Sequence, residues 1–180
     1  MSLKHRITII QASNGNKSAQ KRLYELYQKA MFNTCFRIVG SLEIAEEVLQ
    51  DAFVEAFLHL KEFDFRVEFG AWLKRIAINK SLNANRKRYL ETEDSDDYLD
   101  HFAEENTDEG EIQFEVNKVI KAIQLLPDKA RTVFSLYLLE GYDHEEIAQI
   151  MDISISTSKT QFMRAKNFVR ETIKSNLYER

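Results

Sequence analysis

Cysteine is almost absent from this chain. Cys35 is the only one in 180 residues, so no intramolecular disulfide can form. Proline occurs once and glycine five times, too few for the turns of a β-sandwich or barrel. Leu, Ile, Ala, Glu and Lys abound instead, and an all-α fold is expected. No apolar run approaches the roughly 20 residues that cross a bilayer. The N-terminus lacks the basic-then-apolar layout of a signal peptide. No C-x-x-C or His/Cys cluster has metal-ligand spacing, so no metal and no cofactor is expected. These absences point to a cytoplasmic chain with no membrane insertion.

What is present is 44% apolar and 30% charged residues, the balance of a globular protein. The net charge of −4 hides a strong asymmetry. Residues 91–111 hold eleven acids and no Lys or Arg, while the rest of the chain carries 25 basic residues against 18 acids. Two basic lobes joined by a flexible acidic linker are expected: a helical domain over 1–90, the linker over 91–111, and a second helical domain over 112–180.

In the first lobe, Ile7, Ile9 and Ile10 precede a turn signal at Asn14-Gly15-Asn16. Ser18 is the expected N-cap of a long helix whose apolar positions include Leu23, Leu26, Tyr27, Met31, Cys35, Ile38 and Val39. Gly40 should end it and Ser41 start the next, running to about Leu60. An aromatic loop, Phe63–Glu68, leads into a helix from Phe69 to about Tyr89. That helix carries six Lys and Arg over 69–88 and no acid. Phe63 and Phe65 could either pack in the core or stack on bases of single-stranded DNA. Trp72 reads as core.

In the second lobe, Ile112, Val116, Val119, Ile120 and Ile123 share a helical face that stops at Leu126-Pro127. A helix over Asp128–Glu140 should close at Gly141. Asp143-His144-Glu145-Glu146 has the form of a capping box. It opens a short helix with Ile147, Ile150 and Met151. The turn Asp152-Ile153-Ser154 follows, then a helix from about Ser156 to Asn176 with Ser158, Phe162, Ala165, Val169 and Ile173 inward. This is helix-turn-helix spacing. The outward residues Ser156, Thr157, Lys159, Thr160, Gln161, Met163, Arg164 and Lys166 suit a duplex: hydroxyls and cations for phosphates, Gln161 and Arg164 for base edges. The plainer alternative is a solvated helix with cations near its C-terminal end.

A third pattern lies on the helix after Ser41. Glu47, Gln50, Asp51, Val54 and Leu58 share its outer face. Acids beside exposed apolar side chains form a stripe that a protein partner would cover. Glu47, Asp51, Glu55 and His59 are also spaced by four, as in a bundle metal site, but no facing helix supplies the complementary Glu-x-x-His. An enzyme is therefore not expected. An ordinary repressor or activator would account for the second lobe but not the first.

The segment from Leu126 to Lys166 resembles domain four of bacterial sigma factors. Leu126, Pro127, Arg131, Val133, Phe134, Glu140, Gly141, Glu146, Ile147, Ala148, Ile153, Thr157, Lys159, Arg164 and Ala165 fall on that pattern. "AEEVLQDAFVEAF" and "FGAWLKRIAINKSL" resemble the long helices of sigma domain two. With no third domain between them, the chain is similar to the extracytoplasmic-function (ECF) subfamily. The resemblance implies a promoter-specificity subunit that binds core RNA polymerase and starts transcription at a stress- or signal-responsive promoter set. It implies docking of the clamp coiled coil of the largest polymerase subunit on Glu47, Gln50, Asp51, Val54 and Leu58, and contact with the flap of the second-largest. Promoter DNA would meet the protein at two places. The minus-ten element would be taken by Phe63, Phe65, Arg66, Lys74, Arg75, Asn79, Lys80, Asn83 and Arg86, and the minus-thirty-five element by the helix-turn-helix. An anti-sigma factor is an expected partner. The chain departs from the pattern in a short aromatic loop without Gly or Ser, in Ser156 for Gly, in Ser158 for Val, and in Gln161 where Arg is frequent. The plain reading of the acidic linker is a solubilising segment; the resemblance implies that it threads toward the RNA exit channel, and eleven acids tethered between two basic lobes suggest separately that it screens them in the free protein.

Overall fold

The computed structural model describes residues 2–91 and 111–178; the acidic linker expected over 91–111 lies almost wholly outside them. Among the described residues every regular element is helical. Two compact units emerge, Met1–Arg88 and Tyr89–Arg180.

The first unit begins with α1, Leu3–Ser13, capped by the Ser2 hydroxyl, which accepts from His5 N–H. It buries Ile9 and Ala12 against α2, Lys17–Val39. The cap of α2 is Asn16, not Ser18. Gly15 turns the chain at φ +84°, and Asn16 then stands extended with Oδ1 3.0 Å from Ala19 N. An Asn side chain does this as well as Ser, and the glycine decides where the helix starts. Leu26, expected inside, is 63% exposed. Gly40 ends α2 in the left-handed region at φ +77°, and the Ser41 hydroxyl caps α3, Leu42–Leu58. Leu60 lies past α3, in a 3-10 turn over Leu60–Glu62. α4, Phe69–Glu91, packs Phe69, Leu73 and Ala77 into the same core as Leu23, Cys35, Leu49, Phe53 and Ala56. Trp72 joins the rim of that core. Asn85 Nδ2 and Arg88 Nη1 donate to the carbonyls of Ile38 and Val39 at the end of α2. Two carbonyls left over at a helix end thereby find partners on α4.

In the second unit α5, Glu111–Gln124, buries Ala122 and Ile123. Val119 and Ile120, expected on the buried face, are each 38% exposed, and the side chains of Ile112 and Val116 lie outside the described set. α6, Asp128–Leu138, follows Pro127. Arg131, 5% exposed, donates to the carbonyls of Gln124 and Leu126 and pairs with Asp128. The Leu-Pro-x-x-x-Arg spacing is thus a helix-joining device. Gly141 at φ +80° lets Tyr142 N–H reach back to Leu136 carbonyl, closing α6. α7, His144–Met151, and α8, Ile155–Tyr178, complete the unit. Ala165 and Val169 of α8 meet Phe134, Ala122 and Ile123 in its core.

Candidate nucleic-acid interface

The α7–α8 pair is built by short-range chemistry. Asp143 accepts from Glu145 and Glu146 N–H, and Glu146 reaches back to Asp143 N–H, so the capping box is complete. Asp152 ends α7 at φ +55°. Ser154 then caps α8: its Oγ accepts from Thr157 N–H at 3.0 Å and lies 2.8 Å from the hydroxyls of both Ser156 and Thr157. The sequence pattern places Ser154 in the turn; the signal for its capping role is a Ser standing just before a helical run. Ser158, fully buried, sets its hydroxyl 2.9 Å from Nδ1 of His144, and the His144 ring stacks on Tyr137 at 4.4 Å.

The solvent face of α8 carries Ser156, Thr157, Lys159, Thr160, Met163, Arg164 and Lys166, all exposed; Gln161 is half-buried. Thr160 spends its hydroxyl on Ser156 carbonyl, leaving its methyl for outside contacts. The cations and Gln161 therefore hold most of the hydrogen-bonding capacity of this face. Behind it lies an apolar groove of about 390 Å³, lined by Phe134, Leu138, Phe162, Val169 and Ile173 with Lys166, Arg170 and Lys174.

On α4 the structure sorts the expected contacts into two sets. Arg75, Asn79, Asn83 and Arg86 are exposed at i, i+4, i+8 and i+11, one continuous stripe. Lys74 and Lys80 are half-buried beside it. Lys80 Nζ is 2.5 Å from Glu55 Oε2 on α3, and this hydrogen bond, with the charges of Glu55 and Asp51, raises its pKa above the ordinary lysine value against a smaller opposing effect of burial.

The aromatic loop divides likewise. Phe63 is 6% exposed and packs against Phe69 and Trp72, so core packing claims it. Phe65 is only half-buried. It sits at φ +63°, rare for a residue with a Cβ, with its ring 4.8 Å from that of Phe63 and the Arg6 guanidinium 4.7 Å over it. Asp64 holds the turn by accepting from Arg66 N–H and pairing with the Arg66 guanidinium at 3.0 Å.

Glu47, Gln50 and Asp51 are exposed, as are Val54 at 58% and Leu58 at 74%. The acidic and apolar stripe is therefore uncovered within its unit. Glu55 and His59, which completed a metal-like spacing, turn elsewhere: Glu55 to Lys80, His59 to Glu62. No helix among the described residues is long and apolar enough to cross a membrane.

Comparison with known proteins bears on both units. The family described as Sigma-70 region 2 matches residues 23–90, and Sigma-70 region 4 matches residues 117–169. The ECF RNA polymerase sigma factor SigW of Bacillus subtilis is 29% identical over 97% of this chain and 98% of its own length. The ECF RNA polymerase sigma-E factor of Escherichia coli K12 is 27% identical over 93% of each. Among solved structures, the sigma factor RpoE of Bartonella quintana, in complex with the anti-sigma factor NepR, superposes with a TM-score of 0.63 at 26% identity, covering 86% of this chain and 96% of that one.

Proposed function

The chain belongs to the ECF branch of the bacterial RNA polymerase sigma-70 family, and on that premise we propose how its faces divide the work of promoter recognition. The first unit docks on the clamp coiled coil of the polymerase through Glu47, Gln50, Asp51, Val54 and Leu58. It takes the minus-ten element along the α4 stripe and the Phe65 loop. Lys74 and Lys80 add charge beside the stripe, and Phe63 supports Phe65 from below. The second unit reads the minus-thirty-five element with α8 and seats the polymerase flap in the apolar groove between α6 and α8. The observation that carries this reading is the exposure pattern: Glu47, Gln50, Asp51, Val54 and Leu58 on α3, the stripe of Arg75, Asn79, Asn83 and Arg86 on α4, and Ser156, Thr157, Lys159, Thr160, Met163, Arg164 and Lys166 on α8 are all exposed. The Bartonella relative, solved with an anti-sigma factor, supports a similar protein as the restraining partner here. Action in the cytoplasm, beside the polymerase, follows from this reading, and so does a role with no catalysis of its own.

Reconstitution tests it. The full chain mixed with core RNA polymerase should co-elute and yield a transcript from a defined start on a genomic promoter library. A chain that binds duplex DNA alone and never co-elutes would be a repressor or activator instead.

A further inference from the structure

The contact between Arg6 and Phe65 lies outside every role assigned above. Arg6 belongs to α1, and its exposed guanidinium stands over the Phe65 ring. On the Phe65 side of the core, the Phe63 ring lies 4.8 Å away at a tilt of 56°, and Phe63 is itself packed against Phe69 and Trp72. α1 itself is pinned: the His5 ring faces Tyr27 and Phe69, and its Nε2 lies 2.9 Å from the Tyr27 hydroxyl. A planar cation thus stands over the outermost ring of a tilted aromatic cluster whose inner members are fixed in the core.

We infer that Arg6 is a positioning residue of the single-strand site: it locks the Phe65 ring and offers its own outer face as the platform on which a displaced base stacks. This rests on the reading that the 63–68 loop receives melted DNA. The chemistry is general. A guanidinium is flat and delocalised, stacks on π-systems on both faces, and keeps N–H donors at its edge for a phosphate or a base. Because one face of Phe65 is already covered by Arg6, a base coming from that side meets the guanidinium before the ring. A Lys ammonium would supply the charge but no plane. The ligand is accordingly an unpaired nucleobase with its phosphate, bound with little regard for base identity at this layer.

The test uses the full chain assembled with core polymerase and a labelled oligothymidylate of about 12 nucleotides, a length within the range such grooves cover. Arg6→Ala should weaken its binding about tenfold, the size expected for removing one stacked base. Arg6→Lys should restore the salt dependence but not the affinity. Duplex binding through α8 should be unchanged in both. If Arg6→Lys restores affinity fully, Arg6 is a plain phosphate cation and the platform is wrong. If Arg6→Ala tightens binding, the guanidinium is a cover over Phe65 and the inference is reversed. If Phe65→Ala also leaves binding untouched, or the wild type does not bind at all, the loop reading itself fails and the platform with it.

Discussion

Lys80 on α4 is paired with Glu55 on α3, Nζ to Oε2 at 2.5 Å, and Asp51 of the proposed polymerase stripe adds its field to the same lysine. One cation beside the DNA stripe is therefore partly neutralised by the helix that carries the polymerase contacts. Glu55→Gln removes that neutralisation and keeps the shape. Promoter binding by the reconstituted holoenzyme should then show a log–log salt slope steeper by about one unit. An unchanged slope would mean that Lys80 serves the fold and not the DNA.

The same pair has a pH signature. The folded Lys80 holds its proton more tightly than the unfolded one. Its stabilising contribution is therefore complete below the ordinary lysine pKa and is lost as pH rises through the raised value. Both partners are partly exposed, 32% and 43%, so the gain is at most about 1 kcal/mol. Thermal unfolding should show the wild type slightly above Glu55→Gln at neutral pH, with the gap closing in strongly alkaline buffer.

Val54 and Leu58 give a sharper separation of fold from function. Exposed side chains that touch little in their own unit contribute within about 0.5 kcal/mol to stability. Val54→Glu with Leu58→Glu should leave the unfolding midpoint in urea nearly unchanged while reducing affinity for core polymerase at least about tenfold, as removal of apolar anchors at an interface centre does. A matching loss of stability would show that the stripe is covered from within.

How far the sequence alone foretold these faces depended on whether the deciding chemistry was local. Capping at Ser41 and Asp143 was legible because each cap bonds a donor two or three residues away. The α8 inward set was legible because Phe162, Ala165 and Val169 repeat at helical spacing. Leu26 and Ile120 stand exposed: periodicity shows that a position is apolar, not whether another helix reaches it. Glu55–Lys80 and Arg6–Phe65 could not be read at all. Each joins residues 25 or more apart in sequence, and only packing brings them together. Asn85 illustrates the same limit: it lies among basic residues and yet donates to Ile38 carbonyl inside its own unit.

Lys159 and Arg164 stand exposed on α8 with Gln161 between them. Replacing both by Ala should weaken minus-thirty-five recognition by about 1–3 kcal/mol for each base that is no longer read, with polymerase affinity intact. The two changes should separate in kind. Removing a phosphate partner lowers the salt slope by about one and acts on every sequence alike, whereas removing a base reader relaxes preference at one position. Loss of polymerase binding with promoter choice retained would place the DNA on the other side of α8.

Ser158 and His144 hold the helix-turn-helix at its corner. Ser158 is fully buried with its hydroxyl 2.9 Å from Nδ1, and the imidazole stacks on Tyr137 and meets Phe162 edge-on. This corner is joined by a hydrogen bond, which an apolar contact can replace only if both residues change together. Ser158→Val alone leaves Nδ1 without its partner and should cost about 1–2 kcal/mol in urea unfolding. His144→Phe alone strands the Ser158 hydroxyl and should cost a similar amount. Together they exchange a polar pair for an apolar one that still stacks on Tyr137, so the double variant should recover most of the loss. If the two costs simply add, the hydrogen bond is not what fixes the angle between α7 and α8, and the stacked rings alone must hold it.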